Sequence, residues 1–275
     1  MPTFAVPGAE LEVELSDEGG RPVVQLHGLT SSRYRDRVLD LDLGRGLSGT
    51  RLLRYDARGH GHSSGRAVPD DYTWPHLAED LLRVLDHWFP GEQVHGVGPS
   101  MGCATLLHAA VREPDRFSGF TLLLPPTAWE SRAARAAEYE RSAAYIEAHS
   151  LESWVQSGRD APEPPATIGH PETWPEVPER TLPSILRGAA ASDLPAPARI
   201  AGLTIPTTVL AWSGDAAHPV STAERLAQLI PGATLSVAHT PEDVSSWPQV
   251  LADDVARAST RGASSGTQPR VTSVC

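Results

Sequence analysis

Gly98-Pro99-Ser100-Met101-Gly102 divides two segments of different character. The residues before it, Gln93 to Val97, read as a short strand. The residues after it, Cys103 to Ala110, read as a helix. A serine flanked by glycines at such a junction marks a sharp strand-to-helix turn, where no room is left for a Cβ. The turn lifts the hydroxyl clear of the backbone, within reach of a base.

The partners that a nucleophilic serine needs follow in the order Ser, Asp, His. Thr207 to Trp212 reads as a buried strand and runs into Ser213-Gly214-Asp215. Thr234 to Val237 reads as the next strand, with Ala238-His239 immediately after it. In an open parallel sheet, ligands sit beyond the carboxyl ends of the strands. Ser100, Asp215 and His239 are all expected at that edge. They would supply a hydroxyl, an imidazole to take its proton and a carboxylate to fix the imidazole's tautomer. Downstream of Asp215 the other histidine is His218. It lies three positions from the acid, a separation that reads as too short for the base, so the sequence favours His239.

Two earlier segments extend the pattern. Val23 to Leu26 is a strand leading into His27-Gly28-Leu29-Thr30, where a backbone N–H can point at a reacting carbonyl. Arg51 to Tyr55 is a strand leading into Asp56-Ala57-Arg58-Gly59-His60-Gly61-His62-Ser63. His27 and His60 read as structural, each bonding backbone in its own turn, and Asp56 and Arg58 as braces of the loop.

Together these segments resemble the α/β-hydrolase family in both pattern and order, over roughly residues 10 to 126 and 198 to 258. The resemblance implies Ser100 as nucleophile, His239 as general base, Asp215 as acid, and the amides of Leu29 and Met101 as the oxyanion hole. The chain departs from the family at Pro99, where a His is more usual. It departs again after His27-Gly28, which is not glycine-rich, and at His239, which lacks a preceding glycine and is followed by Thr240-Pro241. A serine in place of a carboxylate nucleophile sets the chain apart from the family's dehalogenases and epoxide hydrolases.

The 275 residues suffice for one large α/β domain with an insertion. Strand-like runs alternate with helix-like ones, which predicts a mostly parallel central sheet with helices on both faces. Leu11 to Leu15 reads as the edge strand. Trp74 to Trp88 carries Leu77, Leu81, Val84, Leu85 and Trp88 at helical spacing, with Thr73 as its expected cap. Phe117 to Leu124 is the strand after the nucleophile helix. Thr222 to Ile230 reads as a helix capped by Ser221, and Trp247 to Arg257 as the closing helix.

Residues 127–197 break the alternation. Helices are expected over Trp129 to Glu147, over a shorter run capped by Ser150, and over Leu182 to Ala191. The proline-rich Ala161 to Arg180 should hold no long regular element. This block reads as a helical cap on a core of residues 1–126 and 198–258. From Ser259 the composition predicts a disordered tail through residue 275.

The chain has no Lys, and its net charge of −11 argues against nucleic acid or an anionic membrane as partner. No apolar run approaches the roughly 20 residues of a membrane span. Two cysteines, Cys103 and Cys275, imply no disulfide framework; with no signal peptide visible, a cytoplasmic location is expected. Cys103 reads as a packing residue. No metal-ligand spacing and no dinucleotide fingerprint occur, so neither metal nor cofactor is expected.

The expected partner is a small to medium, partly apolar substrate carrying an ester, lactone, thioester or amide. The aromatics Trp129, Tyr139, Tyr145, Trp154 and Trp174 either line its pocket or hold the cap together. The same site also suits a non-hydrolytic cyclase or lyase, or a binding protein with a spent triad.

Overall fold

The computed structural model describes residues 1–158 and 162–263, with 258–263 given as backbone alone. Its strands are β1 (Thr3–Val6), β2 (Ala9–Asp17), β3 (Arg21–Gln25), β4 (Thr50–Tyr55), β5 (Val94–Pro99), β6 (Phe117–Leu123), β7 (Thr207–Trp212) and β8 (Thr234–Ala238). They form one sheet in the order β1-β2-β4-β3-β5-β6-β7-β8. β2 runs antiparallel to β1 and β4, and every later pairing is parallel. The edge is β1, not the Leu11–Leu15 segment, which lies one strand in. Thr3–Val6 is too short to stand out by pattern, yet it pairs with β2 through Phe4↔Leu11.

The helices are α1 (Arg33–Val38), α2 (Trp74–Trp88), α3 (Met101–Arg112), α4 (Arg132–Ala148), α5 (Leu151–Ser157), α6 (Leu182–Ala190), α7 (Pro197–Ile200), α8 (Val220–Leu229), α9 (Pro241–Ser245) and α10 (Trp247–Ala263). Among the described residues no helix is long and apolar enough to cross a membrane.

Successive strand residues face opposite sides, so each strand feeds two cores. Val24, Leu53, Leu122 and Val209 join Leu81, Leu85, Leu106 and Leu226 on the face of α2, α3 and α8. Their chain neighbours Val23, Leu52, Leu123 and Leu210 join Trp247, Leu251 and Val255 on the face of α10. Strands buried on both faces explain the near-continuous apolar runs of the sequence.

Local caps differ from expectation in two places. Thr73 does not cap α2: its hydroxyl donates to the Asp70 carbonyl. α8 begins at Val220, after Pro219, so Ser221 is already inside it. Ser150 does cap α5, accepting the Ser153 amide at 3.1 Å. α10 continues to Ala263 across the start of the expected tail; the rest of that stretch, 264–275, lies outside the described residues.

Between β6 and β7, α4 and α6 pack around a third cluster that includes Tyr72, Ala143, Ile146, Leu182 and Ile185. Arg132 clamps the two helices. Its buried guanidinium donates to the carbonyls of Ala189 and Ser192 and lies 4.3 Å from the centre of the Trp74 ring. The proline-rich stretch within this segment, over its described residues 162–180, holds no longer helix than the short 3-10 one at Pro165–Thr167. The segment meets three loops at the carboxyl ends of strands. Glu176 donates its amide to Thr30, Gly61 donates to Glu176, and Thr127 donates to Ala217.

Candidate active site

Ser100 sits between β5 and α3 with φ 51° and ψ −109°, a strained conformation for a residue with a side chain. The flanking glycines relieve crowding. A Cβ on Gly102 would lie 2.9 Å from Leu26 Cβ and 3.1 Å from the His27 carbonyl, and one on Gly98 would lie 3.1 Å from Leu26 Cβ. The Ser100 turn is thus pressed against the end of β3, as the pentapeptide predicts.

Ser100 and Asp215 are brought into one hydrogen-bonded chain, but through His218. His218 Nε2 lies 2.8 Å from Ser100 Oγ, and His218 Nδ1 lies 2.7 Å from Asp215 Oδ2. A carboxylate only accepts, so Nδ1 carries the proton and Nε2 keeps a lone pair facing the serine hydroxyl.

Asp215 also accepts from Trp212 Nε1 at 2.8 Å, from the Ala217 amide at 2.8 Å and from the His218 amide at 3.3 Å. Burial alone would raise its pKa. The bonds from His218, Trp212 and Ala217 outweigh burial and hold the carboxyl well below the usual range.

His239 does not reach Ser100. It is exposed, and its Nδ1 pairs with Ser213 Oγ at 3.0 Å. Its amide and that of Thr240 both donate to Asp243, which ties the segment into the start of α9. The expectation that His239 joins Ser100 and Asp215 is therefore corrected: His218 occupies that place. The short separation that told against His218 is what places it. The Asp215 side chain takes the amide two residues on, the His218 amide also turns back to the Asp215 carbonyl at 3.3 Å, and the imidazole folds onto its own acid. The missing glycine before His239 was the available signal.

Gly28 lies against Ser100, since a Cβ there would stand 3.7 Å from Ser100 Cβ. Thr30 has φ 60°, and the Ser31 amide closes the turn onto the Gly28 carbonyl at 3.1 Å. Among the described residues nothing accepts from the amides of Leu29 or Met101. Met101 opens α3, where backbone N–H groups have no partner within the helix and the dipole favours negative charge.

His27 is a brace. Its Nε2 accepts from the Ala57 amide at 2.9 Å and its Nδ1 donates to the Gly28 carbonyl at 2.8 Å. Burial holds it below its ordinary pKa. His60 donates from Nδ1 to the Arg58 carbonyl, and burial pushes it down to about 3. Asp56 binds Arg33, and Arg58 binds Asp80 at 2.7 and 2.8 Å. Cys103 is fully buried, and burial pushes its thiol up. Of the candidate pocket aromatics, Tyr139 and Trp154 pack against the third cluster, Trp129 packs against the core of α2 and α3, and Trp174 stands exposed.

The profile of the α/β-hydrolase fold matches residues 21–145. The chain has the α/β-hydrolase fold. This α/β hydrolase is 26% identical over 186 residues to 3-oxoadipate enol-lactonase 1 of Acinetobacter baylyi, covering 66% of this chain and 67% of that one. Among solved structures, a hydrolase from Pseudomonas aeruginosa PA01 superposes with a TM-score of 0.74 at 26% identity, covering 94% and 97% of the two chains. A thermophilic esterase from Thermogutta terrifontis shares the fold with a TM-score of 0.72 at 22% identity, covering 93% and 97%.

Proposed function

We propose that this α/β hydrolase cleaves a carboxylic ester, lactone or thioester through an acyl-enzyme on Ser100. The observation that carries the reading is the 2.8 Å contact between Ser100 Oγ and His218 Nε2, with Asp215 behind the imidazole. Ser100 Oγ attacks the carbonyl carbon while His218 Nε2 takes its proton. The carbonyl oxygen, now negative, rests on the amides of Leu29 and Met101. The bond to the leaving oxygen or sulfur breaks, and His218 returns the proton to that atom. Water then attacks the acyl carbon with His218 again as base, and Ser100 is restored.

Asp215 remains ionised throughout and stabilises the imidazolium that forms twice per cycle. The likeness to an enol-lactonase supports an acyl substrate. Residues 127–197 act as a cap over the site. Leu29, which carries one of the two amides, packs beside Tyr139 and Trp154 on the third cluster. A partly apolar acyl group of small to medium size suits such surroundings.

A fluorophosphonate probe tests this directly. The wild type is expected to label, and Ser100→Ala to remain unlabelled and to lose about 10⁶ in turnover of an activated ester. Equal labelling of both proteins would remove Ser100 from the chemistry. Absence of activated-ester turnover in the wild type, with Ser100→Ala tolerated, would favour a cyclase or lyase.

A further inference from the structure

We infer that Trp212 is a positioning residue of the triad, tuning the proton affinity of His218 through Asp215. The inference rests on the reading of Ser100, His218 and Asp215 as a hydrolytic triad. Trp212 ends β7, where it stands opposite Ala238 of β8. Its ring is stacked on that of Trp247, with centroids 6.0 Å apart and planes 18° apart. Trp247 itself is only 1% exposed, on α10. The sheet therefore fixes the Trp212 backbone and α10 fixes its ring.

That double constraint aims the indole N–H at Asp215 Oδ2, 2.8 Å away, the same oxygen that accepts from His218 Nδ1. Two donors on one oxygen compete for its electron density. The indole draws charge from the atom that would stabilise the imidazolium, and so weakens that stabilisation relative to Asp215 alone. It also leaves His218 a single favourable approach to the carboxylate. The remaining donors to Asp215 are the neutral amides of Ala217 and His218. The other titratable groups of this corner are His239, whose ring bonds to Ser213, and Asp243, which accepts the His239 amide. From α3 the corner meets Ser100, and from the segment after β6 it meets Pro165, packed against Gly214.

The test follows the rate of fluorophosphonate labelling of the full chain against pH, which needs no knowledge of the substrate. Two variants are compared with wild type: Trp212→Phe, and replacement of Trp212 by 3-benzothienylalanine, which keeps the bicyclic shape and the stack but has sulfur where the N–H was. Loss of the donor leaves Oδ2 more negative and better able to stabilise an imidazolium. The midpoint of the acid limb is expected to move up by about 0.5–1 pH unit in both variants. An unmoved midpoint in the benzothienyl variant would reduce Trp212 to packing and overturn the proposal. Failure of the triad reading is distinguishable: wild-type labelling would then be independent of Ser100, or flat across the pH range.

Discussion

Asp215 and His218 share one turn, and the two side chains do different work from almost the same point of the chain. The carboxylate is held by neutral N–H donors from Trp212, Ala217 and His218, so its charge stays available to the imidazole. His218→Ala is expected to cost on the order of 10⁶ in turnover, close to the loss from Ser100→Ala, because groups that act as one unit fail together. His239→Ala removes an exposed ring bonded to Ser213 and should leave turnover within about twofold and stability within about 0.5 kcal/mol. Initial rates on an activated ester separate the two, and a collapse in His239→Ala with His218→Ala spared would reverse the assignment. The serine was legible because the flanking glycines record a steric demand in the sequence itself. The imidazole beside it was not, because nothing in residue spacing tells whether a chain folds back on itself within three residues or reaches across from another strand.

At the scale of elements, the decisive contact is between the Ser100 turn and the end of β3. Gly102→Ala places a methyl 2.9 Å from Leu26 Cβ and 3.1 Å from the His27 carbonyl, both anchored by backbone. It is expected to destabilise by about 1–3 kcal/mol and to lower Tm by several degrees, on the order of 2–4 °C per kcal/mol at this size. Labelling should slow as well, because the displaced loop carries Leu29. Gly46→Ala is the control: the nearest atom to its added methyl is Pro248 Cβ at 3.9 Å. Thermal unfolding of the two variants beside wild type checks the difference, and equal melting would refute the steric account. Elements whose limits follow burial, such as α2 and β7, were readable because apolar spacing encodes them directly. β1 and the start of α8 were not, since strand pairing fixes the first and Pro219 the second.

Across the whole molecule, buried ionisable groups set how stability depends on pH. Burial holds His27, His60, His95 and His108 below the ordinary histidine value. Between about pH 4 and 6.5 the unfolded chain therefore takes up protons that the native one refuses, and each such proton makes stability rise with pH by about 1.4 kcal/mol per unit. Asp36 opposes them. It is 2% exposed, one carboxylate oxygen has no partner, and burial, with Asp42 and Asp56 near, pushes it up to about 7. Its proton favours the native state fully below about pH 4, and that contribution is lost as pH rises towards 7. Several imidazoles outweigh one carboxyl, so the urea midpoint of wild type should climb from pH 4.5 to 6.5 and level off by about pH 7. Asp36→Asn removes the opposing proton, which should steepen the climb and raise the midpoint at pH 8, where wild type carries a buried charge with one oxygen unpartnered. Asp215 and Asp56 do not disturb this window: both are held low, so their stabilisation is present above about pH 4 and lost only below it. A wild-type midpoint that falls between pH 4.5 and 6.5 would mean that the buried imidazoles are charged in the native protein.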